Sequence, residues 1–324
     1  MNKSSRQSML KRASTAVLAA LLLVPFSIST AAQELKALGA ELLQARTPAR
    51  LSSSQPEVSD RYATVFGAKI HYLEAGSGPV VILLHGLGGD ASNWAPTVGA
   101  LSLKYRVIVP DQIGFGKSDK PLMNYRVGTL VDFLAGLYKE LKIERASLVG
   151  NSLGGWTAAA FALAHPEKVD RLVLVDAAGF RPDKSVDPRT FNTLNPSTRD
   201  DARKVLSAIF YNKSFTSDVA VDLMFARRIA AGDGYTIQRF IDSIIHGEDM
   251  LDGRLSGLEH QTLIVWGRED LLTPIAMGER FRKEIPNSEL LVFDKCGHVP
   301  QIEKAPEFNA AVLKFLGNGE NAGK

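Results

Sequence analysis

Ser152 lies in the run Leu148-Val149-Gly150-Asn151-Ser152-Leu153-Gly154-Gly155. Its core is Gly-x-Ser-x-Gly, the pattern of a serine presented on a sharp strand-to-helix turn. The chemistry demands those glycines, because side chains flanking so tight a turn would collide with neighbouring backbone. A serine held there stands at a helix N-terminus, where free amides and the helix dipole favour developing negative charge. That is the setting for a nucleophile passing through a tetrahedral oxyanion. A second source of amides for the same charge is His85-Gly86-Leu87-Gly88-Gly89. If the Leu87 and Leu153 N–H groups converge they form an oxyanion hole, in which losing one donor typically costs about 3 kcal/mol of transition-state stabilisation. His85 itself is read as structural, since a loop that fixes a backbone hole needs that side chain for packing or a hydrogen bond.

Those residues need elements to hold them. Apolar runs at 80–84, 107–109, 148–149, 172–175, 263–266 and 290–293 are short and bounded by Gly or Asp, as parallel strands covered on both faces are. Residues 61–66 and 69–74 alternate about Gly67 as a hairpin would. Helical patterns at 127–141, 153–164, 275–285 and 306–316 lie between the runs. The alternation predicts an α/β fold with a mostly parallel, doubly wound sheet. It stops at 179–258, where helical patterns at 199–211, 217–231 and 235–246 occur without a strand. This interval reads as a helical cap inserted late in the sheet, over the strand ends where ligands bind. The core is then 61–178 and 259–324.

The N-terminal part differs. Lys3, Arg6, Lys11 and Arg12 precede an apolar run from Ala16 to Val24, then Pro25 and small residues up to Ala32. This is the layout of an export signal peptide over residues 1–32 and implies a periplasmic or extracellular protein. A spanning anchor needs roughly 20 apolar residues, and Pro25 and Ser27 break this run; an uncleaved anchor is the alternative. Residues 33–60 read as a helix, with Leu35, Leu38 and Leu42 on one face, followed by a linker. Membrane contact is expected only through this N-terminal segment. Removing the four leader cations from the 38 Lys and Arg leaves 34 against 35 Asp and Glu. With no basic stripe, nucleic acid is not an expected partner. The lone Cys296 cannot form an internal disulfide, and no ligand cluster has metal spacing. Neither cofactor nor metal is expected.

Five motifs in order resemble the α/β-hydrolase superfamily: His85-Gly86, Pro110-Asp111-Gln112-Ile113-Gly114-Phe115-Gly116-Lys117-Ser118, Gly150-Asn151-Ser152-Leu153-Gly154-Gly155, Trp266-Gly267-Arg268-Glu269-Asp270 and Gly297-His298-Val299-Pro300. The likeness runs from about Tyr62 to Leu316. It implies a triad in the order Ser, acid, His. His298, in a Gly-containing loop after the run ending at Phe293, is then the base. Asp270, after the strand ending at Trp266, is the acid that orients it. Asp176, at the end of 172–175, occupies a position some members use for their acid, and remains the alternative. Asp111 is expected to support a turn, Glu269 to point elsewhere, and Cys296 to pack.

A serine at the elbow implies a small-molecule ester or lipid substrate cleaved through an acyl-enzyme, and an esterase or lipase is the first expectation, in keeping with the export signal. The serine members that break carbon–carbon bonds of ring-fission products are the rival. Gly150-Asn151-Ser152 looks like theirs, but they commonly carry an aromatic residue after the histidine where this sequence has Val299. A binder that does no hydrolysis is a third possibility on the same fold. Phe191, Phe210, Phe215, Leu223, Met224 and Phe225 either line an acyl pocket or pack the cap helices together.

Overall fold

A computed structural model of the chain describes residues 56–183 and 185–317. The expected leader and the helix at 34–46 lie outside the described residues, as does most of the linker.

Eight strands form one sheet: β1 (Ser59–Val65), β2 (Ala68–Ala75), β3 (Val80–Leu84), β4 (Arg106–Pro110), β5 (Ala146–Asn151), β6 (Val169–Val175), β7 (Thr262–Gly267) and β8 (Ser288–Phe293). Their spatial order is β1-β2-β4-β3-β5-β6-β7-β8. The β1–β2 hairpin is antiparallel, β2 runs antiparallel to β4, and all later pairs are parallel. The helices are α1 (Ala95–Leu101), α2 (Val127–Glu140), α3 (Leu153–Ala164), α4 (Arg199–Ile209), α5 (Asp218–Ala231), α6 (Gly234–His246), α7 (Ile275–Glu284), α8 (Pro300–Glu303) and α9 (Ala305–Gly317).

The continuous apolar runs have their explanation in the period of two along a strand. In β3, Ile82 and Leu84 join one core with Leu130, Leu148, Trp156, Phe161 and Ile264. Val81 and Leu83 join the core on the other face with Trp94, Val98, Val149, Val265, Phe308 and Val312. With helices on both faces, neither set of side chains can be polar. β8 departs from the expectation of full coverage: it lies at the sheet edge and its residues are only partly buried. Two short helices were not anticipated. α1 follows a single 3₁₀ turn capped by Asp90, which accepts the Ser92 amide, and has a proline in its first turn. α8 spans only four residues. Neither is long enough to show a helical period.

The insertion leaves and rejoins the sheet between neighbouring strands, and the Leu251 amide donates to the Gly179 carbonyl at 2.8 Å. Its helix α6 packs onto the main core through Ile237, Phe240 and Ile241, with Phe240 stacked on Phe115 at 5.8 Å. Helices α4 and α5 share a small cluster of Ala202, Leu206 and Val221 with Phe210, Met224 and Phe225 against it. Phe210 and Phe215 stack at 4.6 Å, and Leu223 is exposed. The cap residues expected either to line a pocket or to pack on one another therefore pack, for the most part. No helix of the described residues is long and apolar enough to cross a membrane.

Candidate active site

Parallel strands all present their carboxyl ends on one side, so the residues that follow β3, β5, β6, β7 and β8 are gathered along one edge. Those residues are the His85 loop, Ser152, Asp176, Asp270 and His298.

Ser152 sits between β5 and α3 with φ 56° and ψ −116°, a region that residues other than glycine rarely occupy. Neighbouring backbone enforces this. A side chain at Gly150 would strike the Gly154 carbonyl, and one at Gly154 would strike the carbonyl of Leu84. The Ser152 amide donates to the Val175 carbonyl at 2.9 Å, and its own carbonyl accepts the Trp156 amide at 3.0 Å and the Ala178 amide at 3.2 Å. The strain is thus held from both sides. Leu153 begins the helix, where amides lack intrahelical acceptors.

The loop after β3 lies against the serine: a Cβ at Gly86 would be 3.2 Å from Ser152 Cβ. His85 Nε2 accepts the Gln112 amide at 3.0 Å, which leaves the proton on Nδ1, 2.8 Å from the Gly86 carbonyl. Gln112 Nε2 donates back to the His85 carbonyl. His85 is fully buried with both ring nitrogens engaged, so its part is to shape this loop. The Gly89 amide donates to the Gly86 carbonyl and closes a turn around Leu87 and Gly88. Among the described residues the Leu87 amide has no acceptor.

His298 and Asp270 meet directly, with Nδ1 of the imidazole 2.7 Å from Oδ2 of the carboxylate. Both residues are buried. A carboxylate there makes Nδ1 the donor and leaves Nε2 free to act as a base. Asp270 Oδ1 accepts the Leu272 amide at 2.7 Å and the Thr273 amide at 3.1 Å. The Thr273 hydroxyl donates to Oδ2 at 2.6 Å and lies 3.2 Å from His298 Nδ1. Burial alone would raise the Asp270 carboxyl, but the His298 ring and the donors from His298, Thr273 and Leu272 bring it below the ordinary range. Asn151 Nδ2 donates to the His298 carbonyl at 3.0 Å, tying the histidine loop to the serine's neighbour.

Asp176, the alternative acid, is buried behind this couple. Its Oδ1 accepts the Gly267 amide at 2.9 Å. Burial, then the nearby Asp270 charge, push its carboxyl well above the ordinary range despite that amide. Glu269 does point elsewhere: its carboxylate accepts the Cys296 amide at 2.9 Å. Asp111 supports a turn, accepting the amides of Ala91 and Lys117 and facing His71 Nδ1 at 2.8 Å. Cys296 is buried and its thiol is pushed up by that burial.

Two participants escaped the sequence. Thr273 carries a faint signal, an Asp-x-x-Thr spacing that suits a carboxylate accepting amides just downstream. Glu303 carries none. Its carboxylate accepts the amides of Gly297, Tyr211 and Asn212, and the His298 amide donates to the Ile209 carbonyl at 2.7 Å. The histidine loop is therefore held against the cap. Asp176, Asp270 and His298 each offer an atom within 4.8 Å of the others, but a cation there would have to displace the Asp270–His298 hydrogen bond.

The alpha/beta hydrolase fold family matches residues 79–305. The chain is 34% identical over 270 residues to the 2-hydroxy-6-oxononadienedioate/2-hydroxy-6-oxononatrienedioate hydrolase of Paraburkholderia phymatum, covering 77% of this chain and 91% of that one. Among solved structures, a meta-cleavage product hydrolase from Pseudomonas fluorescens matches with a TM-score of 0.73 and 33% identity, over 80% of this chain and 98% of that one. A membrane phospholipase A described as a bacterial virulence factor matches with a TM-score of 0.74 and 27% identity, over 98% of this chain and 99% of that one.

Proposed function

The chain belongs to the α/β-hydrolase fold family, and from that premise we propose that it is a serine hydrolase that breaks a carbon–carbon bond beside a ketone in a 2-hydroxy-6-oxo-dienoate. His298 Nε2 takes the Ser152 hydroxyl proton as the oxygen adds to the C6 carbonyl. The Leu87 and Leu153 amides receive the oxyanion. With the substrate in its 2,6-dioxo tautomer, in which C5 has gained a proton and the 2-hydroxyl has lost one, collapse breaks the C5–C6 bond and the electron pair passes through C4 and C3 to the 2-oxo group, giving a dienolate whose oxygen takes its proton from His298. Water then hydrolyses the acyl group from Ser152 by the same relay, while Asp270 stabilises the imidazolium at each stage.

The observation that carries the choice of bond is the likeness to the dienedioate hydrolase, which spans 91% of that enzyme's length at 34% identity. This reverses the order expected from sequence alone, where an ester came first. The triad and oxyanion site serve either bond, since only the leaving group differs.

A carboxylic ester of an acyl lipid is the second reading, and two observations favour it. Val299 follows the histidine where the carbon–carbon hydrolases commonly have an aromatic residue. The phospholipase match also extends over 98% of this chain, against 80% for the meta-cleavage product hydrolase. We read residues 1–32 as an export leader; sequencing of the protein recovered from the periplasm or medium is expected to start near residue 33, and recovery with Met1 intact in membranes would contradict this.

The two bonds are separated by incubating the purified full chain with a 2-hydroxy-6-oxo-dienoate, a series of nitrophenyl esters and a phosphatidylcholine dispersion. The dienoate is expected to show a kcat/KM at least about a hundredfold above the others, a gap of about 2.7 kcal/mol in transition-state stabilisation. Greater turnover of an ester or phospholipid would move the assignment to lipid hydrolysis. Turnover of none of them would remove the hydrolase reading.

A further inference from the structure

Asp176 follows β6 as Asp270 follows β7, and these strands are neighbours, so the sheet brings two carboxyl groups close to one another and to one imidazole. Asp176 has no exposure to solvent. Its Oδ1 accepts the Gly267 amide, while its buried Oδ2 has no donor among the described residues. An ionised oxygen left this way is costly. Atoms of Asp176, Asp270 and His298 all lie within 4.8 Å of one another, and two buried carboxyls this close do not both ionise. Asp270 is the one with amide, hydroxyl and imidazole donors on its two oxygens. The proton therefore belongs on Asp176.

We propose that Asp176 is a positioning residue of the Asp270–His298 couple: a neutral carboxylic acid whose Oδ2–H is turned to Asp270, so that the pair holds one negative charge and one proton. This rests on the triad reading above and is independent of which bond is cleaved. The groups around Asp176 are the Gly267 amide of β7 and Asp270 after it, the Thr273 hydroxyl at its carbonyl, His298 and Cys296 after β8, and Glu303 of α8. None of them is a lysine or an arginine, so no fixed cation among them would hold Asp176 ionised. An O–H donor on Asp270 draws off part of its charge and weakens its pull on His298 Nδ1–H. The acid limb of Ser152 reactivity is then expected at lower pH than beside an unassisted carboxylate.

The test uses the rate at which a fluorophosphonate labels Ser152 as a function of pH, which needs the relay but no natural substrate. Asp176→Asn keeps an uncharged donor and is expected to label within about threefold of the parent, with the midpoint of the acid limb unmoved. Asp176→Ala removes the donor and is expected to raise that midpoint by about half a pH unit or more. A fall of about one unit in Asp176→Asn would mean that a charge had been removed, and would overturn the proposal; so would an unmoved midpoint in a folded Asp176→Ala. Infrared difference spectra of the parent against Asp176→Asn at pH 7 read the proton directly. A protonated-carboxyl stretch lost in the variant is expected, and no such band would overturn the proposal even where Asp176→Ala does not fold. Absence of any Ser152 labelling in the parent would instead strike the hydrolase reading, leaving the infrared result to decide on Asp176.

Discussion

Asp270 and Asp176 show how position within a few ångströms sets the role of a carboxyl group. Asp270 has donors on both oxygens and touches the imidazole, so Asp270→Asn is expected to lower kcat by about 10⁴ while the protein stays folded. Near-normal turnover, with Asp176→Asn inactive instead, would transfer the acid role. Thr273 assists both partners of the couple; Thr273→Val is expected to cost about tenfold in kcat with little change in KM, measured by steady-state kinetics. The two carboxyls also titrate with opposite effects on stability. Asp270 is lowered, so its contribution is complete above the ordinary carboxyl range and is lost as pH falls through its folded pKa. Asp176 is raised: the folded state keeps a proton that the unfolded chain releases, so stability is lost as pH climbs from the ordinary carboxyl range toward the raised value. Asp176→Asn should therefore raise Tm more at pH 8 than at pH 4, and an equal or smaller gain at pH 8 would contradict the shift. The strand-end positions of Ser152, Asp270 and His298 were legible because each sits in a short motif. Thr273 and Glu303 were not, because what they touch is fixed by the meeting of segments rather than by local spacing.

Among the elements, strands were the most legible, since two covered faces force an unbroken apolar run in β3, β6 and β7. Helix α1 and the single turn of α8 were not, being too short to display a period. The contact of greatest consequence was invisible as well: the α8 residue Glu303 holds Gly297 of the histidine loop together with Tyr211 and Asn212 of the cap. Glu303→Ala takes the acceptor from the amide of buried Gly297 and from those of exposed Tyr211 and Asn212, and is expected to cost about 1–3 kcal/mol in urea unfolding along with at least about tenfold in kcat. Loss of stability without loss of turnover would show that the loop is positioned by other contacts. On the opposite face of the sheet, Phe308 of α9 is fully buried beside Trp94. Phe308→Ala should cost about 3–5 kcal/mol, read in urea unfolding.

For the molecule as a whole, the order of strands and motifs was sufficient to place the chain in its fold family and to bring the serine, histidine and aspartate loops to one edge. The bond to be broken was not legible in the same way. Ester and carbon–carbon cleavage use one nucleophile, one relay and one oxyanion site, and they part only at the leaving group. The insertion at 179–258, which is expected to meet that group, has aromatic residues that pack largely on one another and so say little about what they enclose. What the account depends on is that Ser152, strained on its turn, is activated by the His298–Asp270 couple. The most direct measurement is mass spectrometry of peptides from the protein treated with a fluorophosphonate. A single covalent adduct on the peptide containing Ser152, formed quickly in the parent, slowed by orders of magnitude in Asp270→Asn and abolished in His298→Ala, is the predicted result. An adduct on another residue, or one on Ser152 that forms equally fast without His298, would contradict it.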